Sequence, residues 1–217
     1  MKNVIKKVTV LFVIIILAIV VNACSDGSQD EFILFDLNDV EDVQESTTIL
    51  QEDIDALLFM LEEEKLARDT YEYLDNTWSL SQFENIKKSE QAHMDAIEDV
   101  LKQNEISYTI LPKGVFSNKD LQAHYNTFKE DGAKSVINAL KIGATIEDLD
   151  IKDLENYVSL TKNSTLISIY QNLICGSRNH LRSFMRGLDN NEGTYTPQFI
   201  TQDAFDSIVN SSQEQCN

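Results

Sequence analysis

The stretch Asn85-Ile-Lys-Lys-Ser-Glu-Gln-Ala-His93 places a carboxylate and an imidazole, Glu90 and His93, one helical turn apart on a face that is otherwise apolar. At about 100° of rotation per residue, Phe83, Ile86, Glu90, His93, Met94, Ile97 and Leu101 all project within roughly 60° of Glu90. The two ionisable groups therefore point where the hydrophobic residues point. A carboxylate buried without a partner is costly, and for this pair, aimed into a helical core, a metal ion is the partner that suits both groups.

The same anomaly recurs on three other segments. Ile54, Leu57, Leu61, Glu64, Ala67, Tyr71 and Leu74 step by three or four and set Glu64 in the middle of an apolar stripe. Glu62 and Glu63 project about 160° and 100° away from Glu64 and read as solvated or flanking charges. Leu140, Ala144, Glu147, Asp150, Ile151, Leu154 and Val158 share one face, with Thr145 as the expected N-cap of that helix. Tyr170, Leu173, Ser177, His180, Leu181, Phe184 and Leu188 form a fourth stripe, with His180 toward its edge. Taken singly, such a Glu pairs with an arginine, and Arg68, Arg178, Arg182 and Arg186 are at hand; a lone His is a hydrogen-bonded core residue. Four helices repeating the same apparent error is harder to explain that way, because each unpaired buried charge is destabilising. Metal ligation satisfies all four together.

From Asp53 onward the helical period is sustained, strand alternation is absent, and Pro112 and Pro197 fall outside the periodic runs, so the expected class is all-α. Helices are expected near residues 53–76, 80–104, 119–130, 133–142, 145–159 and 163–187. The four long ones form a bundle over residues 53–188, and the two short pieces lie in the crossover between its second and third members. Residues 189–217, with Phe199, Phe205 and Ile208, are expected to pack partly back on that bundle.

The first 23 residues stand apart, with Lys2, Lys6 and Lys7 before an apolar run from Val8 to Val21. They read as a secretory signal peptide, and Val21-Asn-Ala-Cys24 resembles the bacterial lipobox, which implies cleavage before Cys24 and lipid on its sulfur. An uncleaved membrane anchor is the alternative; either way the remainder works outside the cytoplasm at a membrane surface. Residues 24–52 are acidic, with little beyond Phe32-Ile-Leu-Phe35 to bury, and read as a solvated tether. The chain carries 36 acidic against 18 basic residues, a formal charge of −18 that becomes more negative once the lysines of the leader are removed. That field excludes nucleic acid as a partner and leaves attachment to an anionic membrane to the lipid. Of the other cysteines, Cys175 lies in a predicted helix and Cys216 near the end; an oxidising compartment permits a disulfide, and the sequence leaves the pairing open.

The segments also carry a family resemblance. Glu64-Lys-Leu-Ala67-Arg-Asp-Thr-Tyr71 and Ser89-Glu-Gln-Ala-His93 resemble the first two helices of rubrerythrin-type ferritin-like domains. More closely, Glu62-Glu-Glu-Lys-Leu-Ala-Arg-Asp69, Asn85-Ile-x-x-Ser-Glu-Gln-Ala-His93, Ala144-x-Ile-Glu-Asp-Leu-Asp-Ile151, Gly176-Ser-Arg-Asn-His-Leu-Arg-Ser-Phe184 and Tyr195-x-Pro-Gln198 resemble an uncharacterised bacterial and archaeal ferritin-like family, domain of unknown function 2202. The resemblance spans about residues 53–210 and implies a ferritin-like four-helix bundle with a carboxylate-bridged pair of iron or manganese ions. On that implication Glu64 is the terminal carboxylate of the first helix, Glu90 a bridge, His93 and His180 terminal imidazoles, and Glu147 the carboxylate of the third helix. Ser177 departs from the pattern, since a bridging Glu is expected three residues before His180. Asp150 is the candidate replacement, and Tyr71, Tyr170 and Ser177 are candidate donors around the ligands.

Carboxylates and imidazoles without thiolate suit iron or manganese, and zinc binds such a set as well. A pair of irons reacting with oxygen or peroxide is the first functional expectation, and a non-catalytic envelope lipoprotein binding one structural metal or none is the second. No Cys-x-x-Cys pair exists to feed electrons, so turnover needs an external donor or Fe²⁺ as the substrate. A homodimer is compatible with such a bundle, whereas a closed storage cage conflicts with a lipid on every chain.

Overall fold

The computed structural model describes residues 49–216; the leader, Cys24 and most of the tether lie outside the described residues. The described residues are all-α, with six helices: α1 (Gln51–Trp78), α2 (Ser81–Gln103), α3 (Lys119–Gly132), α4 (Val136–Leu160), α5 (Ser164–Asp189) and α6 (Gln202–Val209). None of them is long and apolar enough to cross a membrane.

Two-residue and three-residue connections join α1 to α2 and α4 to α5, so each pair folds back on itself as a helical hairpin. The hairpins then pack α1 on α4 and α2 on α5. Side-chain contacts fix the directions: Tyr71 meets Gly143 and Glu147 across α1 and α4, and Ser89 meets His180 across α2 and α5. Neighbours are thus antiparallel, α2 and α4 run the same way, and the chain between them must return the length of the bundle. Residues 104–135, with α3 docked on α1 and α4, make that return.

The return differs from the sequence expectation. The pieces predicted at 133–142 and 145–159 are one helix, α4, so only α3 lies in the crossover. Ser135 is the N-cap, its Oγ accepting from Asn138 N at 3.1 Å, while Thr145 sits mid-helix and donates to Lys141 O at 2.9 Å. The gap between the predicted pieces falls at Gly143, and its glycine serves packing: a Cβ there would lie 2.4 Å from Phe184 Cε1. A buried pin fastens the crossover to α1. Lys65 Nζ donates to Asp69 Oδ2 at 2.6 Å and to the carbonyls of Pro112 and Val115 at 3.1 Å each, and Gly114 N donates to Asp69 Oδ2 at 2.9 Å. Full satisfaction of both charges is what makes their burial tolerable.

The interior has two apolar ends with an acidic layer between them. Tyr71, Phe83, Phe184, Leu140, Leu181 and Leu188 belong to one end, and Leu57, Met60, Met94, Ile97, Leu173 and Tyr170 to the other. On α1 the change from one end to the other falls at Glu63 and Glu64, on α2 at Glu90 and His93, on α4 just past Asp150, between Ile151 and Leu154, and on α5 at Ser177 and His180. At the C-terminus Ile200, Phe205 and Ile208 are buried in the first end, whereas Phe199 is 37% exposed, so Ile200 takes the place that the sequence pattern suggested for Phe199. Four acceptances by buried Asp148, from Tyr195 Oη and the backbone N–H groups of Gln198, Phe199 and Ile200, hold this segment on α4. Cys175 and Cys216 form a disulfide with their Cα atoms 5.7 Å apart, which resolves the pairing that the sequence left open.

Candidate metal centre

Inward stripes of α1, α2, α4 and α5 bring six of the sequence candidates into the acidic layer. Glu64, Glu90, Glu147, Asp150 and His180 are buried, and His93 is nearly so. Five of them assemble as two triads with one shared member, Glu64, Glu90 and His93, then Glu90, Glu147 and His180, and Asp150 belongs to neither. Within each triad the candidate ligand atoms all lie within 4.8 Å of one another.

The closest approaches converge on the Nδ1 atoms. His93 Nδ1 stands 2.9 Å from Glu90 Oε2 and 3.1 Å from Glu64 Oε2. His180 Nδ1 stands 2.9 Å from Glu90 Oε1 and 3.3 Å from Glu147 Oε2. Ligands at right angles around an ion with bonds near 2.1 Å are separated by about 3.0 Å, so these spacings fit a shared metal as well as they fit ion pairs. Hydrogen bonding does not account for the second triad. Although His180 Nδ1 and Glu90 Oε1 are 2.9 Å apart, neither is aligned for a hydrogen bond, and Glu64 Oε1 also lacks a donor. Buried polar atoms left in this state each cost about 1–3 kcal/mol.

Surrounding groups set the orientation of the candidate ligands. His180 Nε2 lies 3.0 Å from Ser89 Oγ, which leaves Nδ1 for the interior. The Tyr71 hydroxyl donates to Glu147 Oε1 at 2.5 Å, leaving Oε2 toward His180. Ser177 donates to Asp150 Oδ2, so the serine that replaces the expected Glu is bonded to the very carboxylate proposed to substitute for it. Asp150 Oδ1 has no donor. Gly176 lets His93 pack against α5, because a Cβ there would lie 2.6 Å from His93 Nε2. Tyr170 is placed apart from both triads, in the other apolar end, where Asp53 and Tyr157 are its polar neighbours. It has no contact with a candidate ligand that would support the orienting role suggested by its helical phase.

Burial and mutual repulsion shift the titration of the acidic layer. Burial pushes the Glu64 carboxyl up to about 7, with His93 pulling down and Glu90 pushing up. Burial and the Glu90 charge likewise raise Glu147 to about 7. Burial opposes ionisation of Glu90 too, but the two imidazoles outweigh it and hold that carboxyl below the usual range. Burial disfavours charge on His180, yet Glu90 and Glu147 raise it to about 10, and Glu64 with Glu90 similarly raises His93. Burial of this many carboxylates beside two imidazoles therefore favours protonated and ion-paired forms within the layer.

A family model described as an uncharacterized protein domain (DUF2202) matches residues 53–212. The chain belongs to the DUF2202 family. The uncharacterized protein MJ0754 of Methanocaldococcus jannaschii is 46% identical over 168 residues, which cover 76% of this chain and 91% of that protein. The crystal structure of the hypothetical protein MJ0754 from Methanococcus jannaschii DSM 2661 aligns with a TM-score of 0.76 at 46% identity, covering 78% of this chain and 98% of that one.

The DUF2202 match contains every ligand candidate and also the residues that sequence reasoning passed over. Glu63, read as a flanking charge, is only 2% exposed and neither of its carboxylate oxygens has a donor. A helix enclosed by two neighbours buries a wider arc than the single stripe assumed, and a residue about 100° off that stripe falls inside it. Glu62, by contrast, does lie at the periphery, accepting from the backbone N–H groups of Ser117 and Asn118 at 2.6 and 2.9 Å. Asp148, Tyr195 and Gln198 sit in the quoted motifs but tie down the C-terminal segment. An outer cleft of about 450 Å³ between α2 and α5 reaches the imidazoles, with Ser89, His93, Asn179, His180, Gln213 and Cys216 among its lining residues.

Proposed function

We propose that this DUF2202 protein is a ferritin-like metal-binding protein of the cell envelope that holds two iron or manganese ions through its two triads. The carrying observation is the convergence of buried atoms without hydrogen-bond partners, Glu64 Oε1, Glu90 Oε1 and His180 Nδ1, on two triads that share Glu90. Ferritin-like architecture is supported by the crossover between α2 and α4 and by inward ligand candidates on all four long helices. Glu90 would bridge, Glu64 and His93 would complete one site, and Glu147 and His180 the other. Bound iron or manganese supplies one-electron chemistry toward oxygen or peroxide.

The chain's own contribution is orientation and enclosure. Ser89 occupies the outer nitrogen of His180, Tyr71 occupies one oxygen of Glu147, and Gly176 admits the ring of His93. Tyr71, Phe83 and Phe184, with ring centroids 5.3–5.8 Å apart, close one end of the layer against water. Attachment to a membrane through lipid on Cys24 rests on the leader and lipobox pattern of the sequence. A second reading, a non-catalytic module binding one structural metal or none, is favoured by the engagement of Ser177 with Asp150, which leaves the second site short of a carboxylate.

The test is to load the full chain with Fe²⁺ without oxygen, count metal per chain, and then admit oxygen while recording the near-ultraviolet spectrum. About two irons per chain with an oxygen-dependent absorption band, both lost in Glu90→Ala, is the expected result. One ion without a spectral change, or no ion, would reject the redox centre and select the second reading.

A further inference from the structure

The outer cleft between α2 and α5 has a third wall that neither helix supplies. His93 and His180 line it from the two helices, whereas Gln213 and Cys216 reach it from the segment that follows α6. That segment is fastened to one face of α5. Cys216 is bonded to Cys175, the Glu214 carboxylate accepts from Arg178 Nε at 2.8 Å and from Arg182 Nη2 at 2.6 Å, and Asn179 Nδ2 donates to Glu214 O at 3.0 Å. Anchors at 175, 178, 179 and 182 fall on one side of a helix. The bridge stands between two hollows: Cys216 lines both the cleft and a second hollow of about 310 Å³, and Cys175 lines the second.

We propose that the Cys175–Cys216 bridge is a thiol-exchange site for a dithiol reductant, and that opening it frees residues 211–216 and uncovers the cleft leading to the imidazoles. Cys216 is exposed whereas Cys175 is buried, so the reductant's thiolate attacks the Cys216 sulfur and Cys175 leaves as a thiolate that takes up a proton. The reductant's second thiol then displaces Cys216 from the mixed disulfide. The reductant ends as a disulfide, and the two cysteines have gained two electrons and two protons. What then fastens the segment is mainly Glu214, whose side chain is 32% exposed, and ion pairs open to water hold weakly. Its anchors lie on α5, so the segment can leave without displacing α2, which carries the opposite wall. As regulation of the metal centre this rests on the function proposed above, whereas the exchange site itself does not.

Dithiothreitol is the probe, added to the full chain without denaturant, with alkylation read at Cys175 and Cys216 by mass spectrometry. Hydroxyl-radical footprinting then compares His93 and His180 with His124 on α3. Both cysteines are expected to alkylate in the folded protein. The His93 and His180 side chains are 12% and 10% exposed with the bridge closed, so their oxidation should rise about threefold on opening while that of His124 stays constant. Cys216→Ser should reproduce the rise without reductant, and the reduced wild type carries the comparison if that variant misfolds. Cysteines that alkylate only after unfolding in urea, or unchanged labelling of His93 and His180 once the bridge is open, would overturn the proposal. Zn²⁺ uptake separates it from the metal centre: faster uptake by the opened form is expected, and equal rates would overturn the cover as a control of the centre. No uptake by either form would sink the metal-centre reading and leave the exchange site standing.

Discussion

Replacement of Gly176 by alanine tests the geometry of the centre without touching a ligand. The new Cβ would stand 2.6 Å from His93 Nε2 and 2.7 Å from its Cε1, against an ordinary contact of 3.4–4 Å, so the imidazole must retreat by about 0.8 Å. Metal–ligand bonds tolerate roughly 0.2 Å, so His93 is expected to leave the first triad. Stability moves little: overpacking costs about 1–3 kcal/mol, and the gain in helix propensity on replacing glycine by alanine offsets roughly 1 kcal/mol of it. Affinity should move far more, by about 100-fold or nearly 2.8 kcal/mol for loss of one imidazole. Calorimetric titration with Zn²⁺ measures it, with Gly187→Ala as the control. There the Cβ would meet Gln82 Nε2 and Leu140 Cδ2 at 2.9 Å, strain of a similar kind away from the triads. Wild-type affinity in Gly176→Ala would refute the assignment of His93 as a ligand, and an equal loss in Gly187→Ala would show that the effect is general destabilisation.

Three further outcomes are expected. Loading with metal at pH 7 should release about three protons, because both imidazoles are charged in the metal-free layer and Glu64 and Glu147 titrate near 7; affinity should accordingly fall as pH drops, and calorimetry in two buffers of unequal ionisation enthalpy would expose the assignment as wrong if no protons appeared. Asp148→Ala strips the acceptor from Tyr195 and from three backbone N–H groups, and urea unfolding should report a loss of about 3 kcal/mol; a loss below about 1 kcal/mol would contradict the anchoring role. Glu214 is held down to about 2 by its bonds to Arg178 and Arg182. Its folded value lies below the unfolded one, so its contribution is present above about pH 4.5 and is lost as pH falls through 2. With the disulfide reduced, proteolysis of residues 211–216 should therefore quicken between pH 4.5 and 2, and an unchanged rate would refute it.

Burial of the candidate ligands was legible because a helix repeats every 3.6 residues, so a charged residue in phase with leucines must face where they face. That argument holds for Glu64, Glu90, Glu147, Asp150 and His180, each of which the fold buries. It fails for Glu63, because periodicity identifies the centre of a buried arc and not its width. It fails for Tyr170 in the opposite sense: the phase is right, but its level along the helix belongs to the other apolar end. It also splits α4 at Gly143, where the missing side chain makes room for Phe184, a contact made across 41 residues that no local rule contains.

Composition and phase alone thus determined an all-α chain with acids and histidines facing its interior, since helical periodicity and the exclusion of unpaired charge act within a few residues of chain. Tertiary structure alone decided that Glu90 is common to both triads, that Ser177 is bonded to Asp150, that Asp148 anchors the C-terminal segment, and that Cys175 meets Cys216. These are distances between atoms on different helices. They depend on how far each helix slides and rotates against its neighbours, which is settled by the packing of the whole core at once.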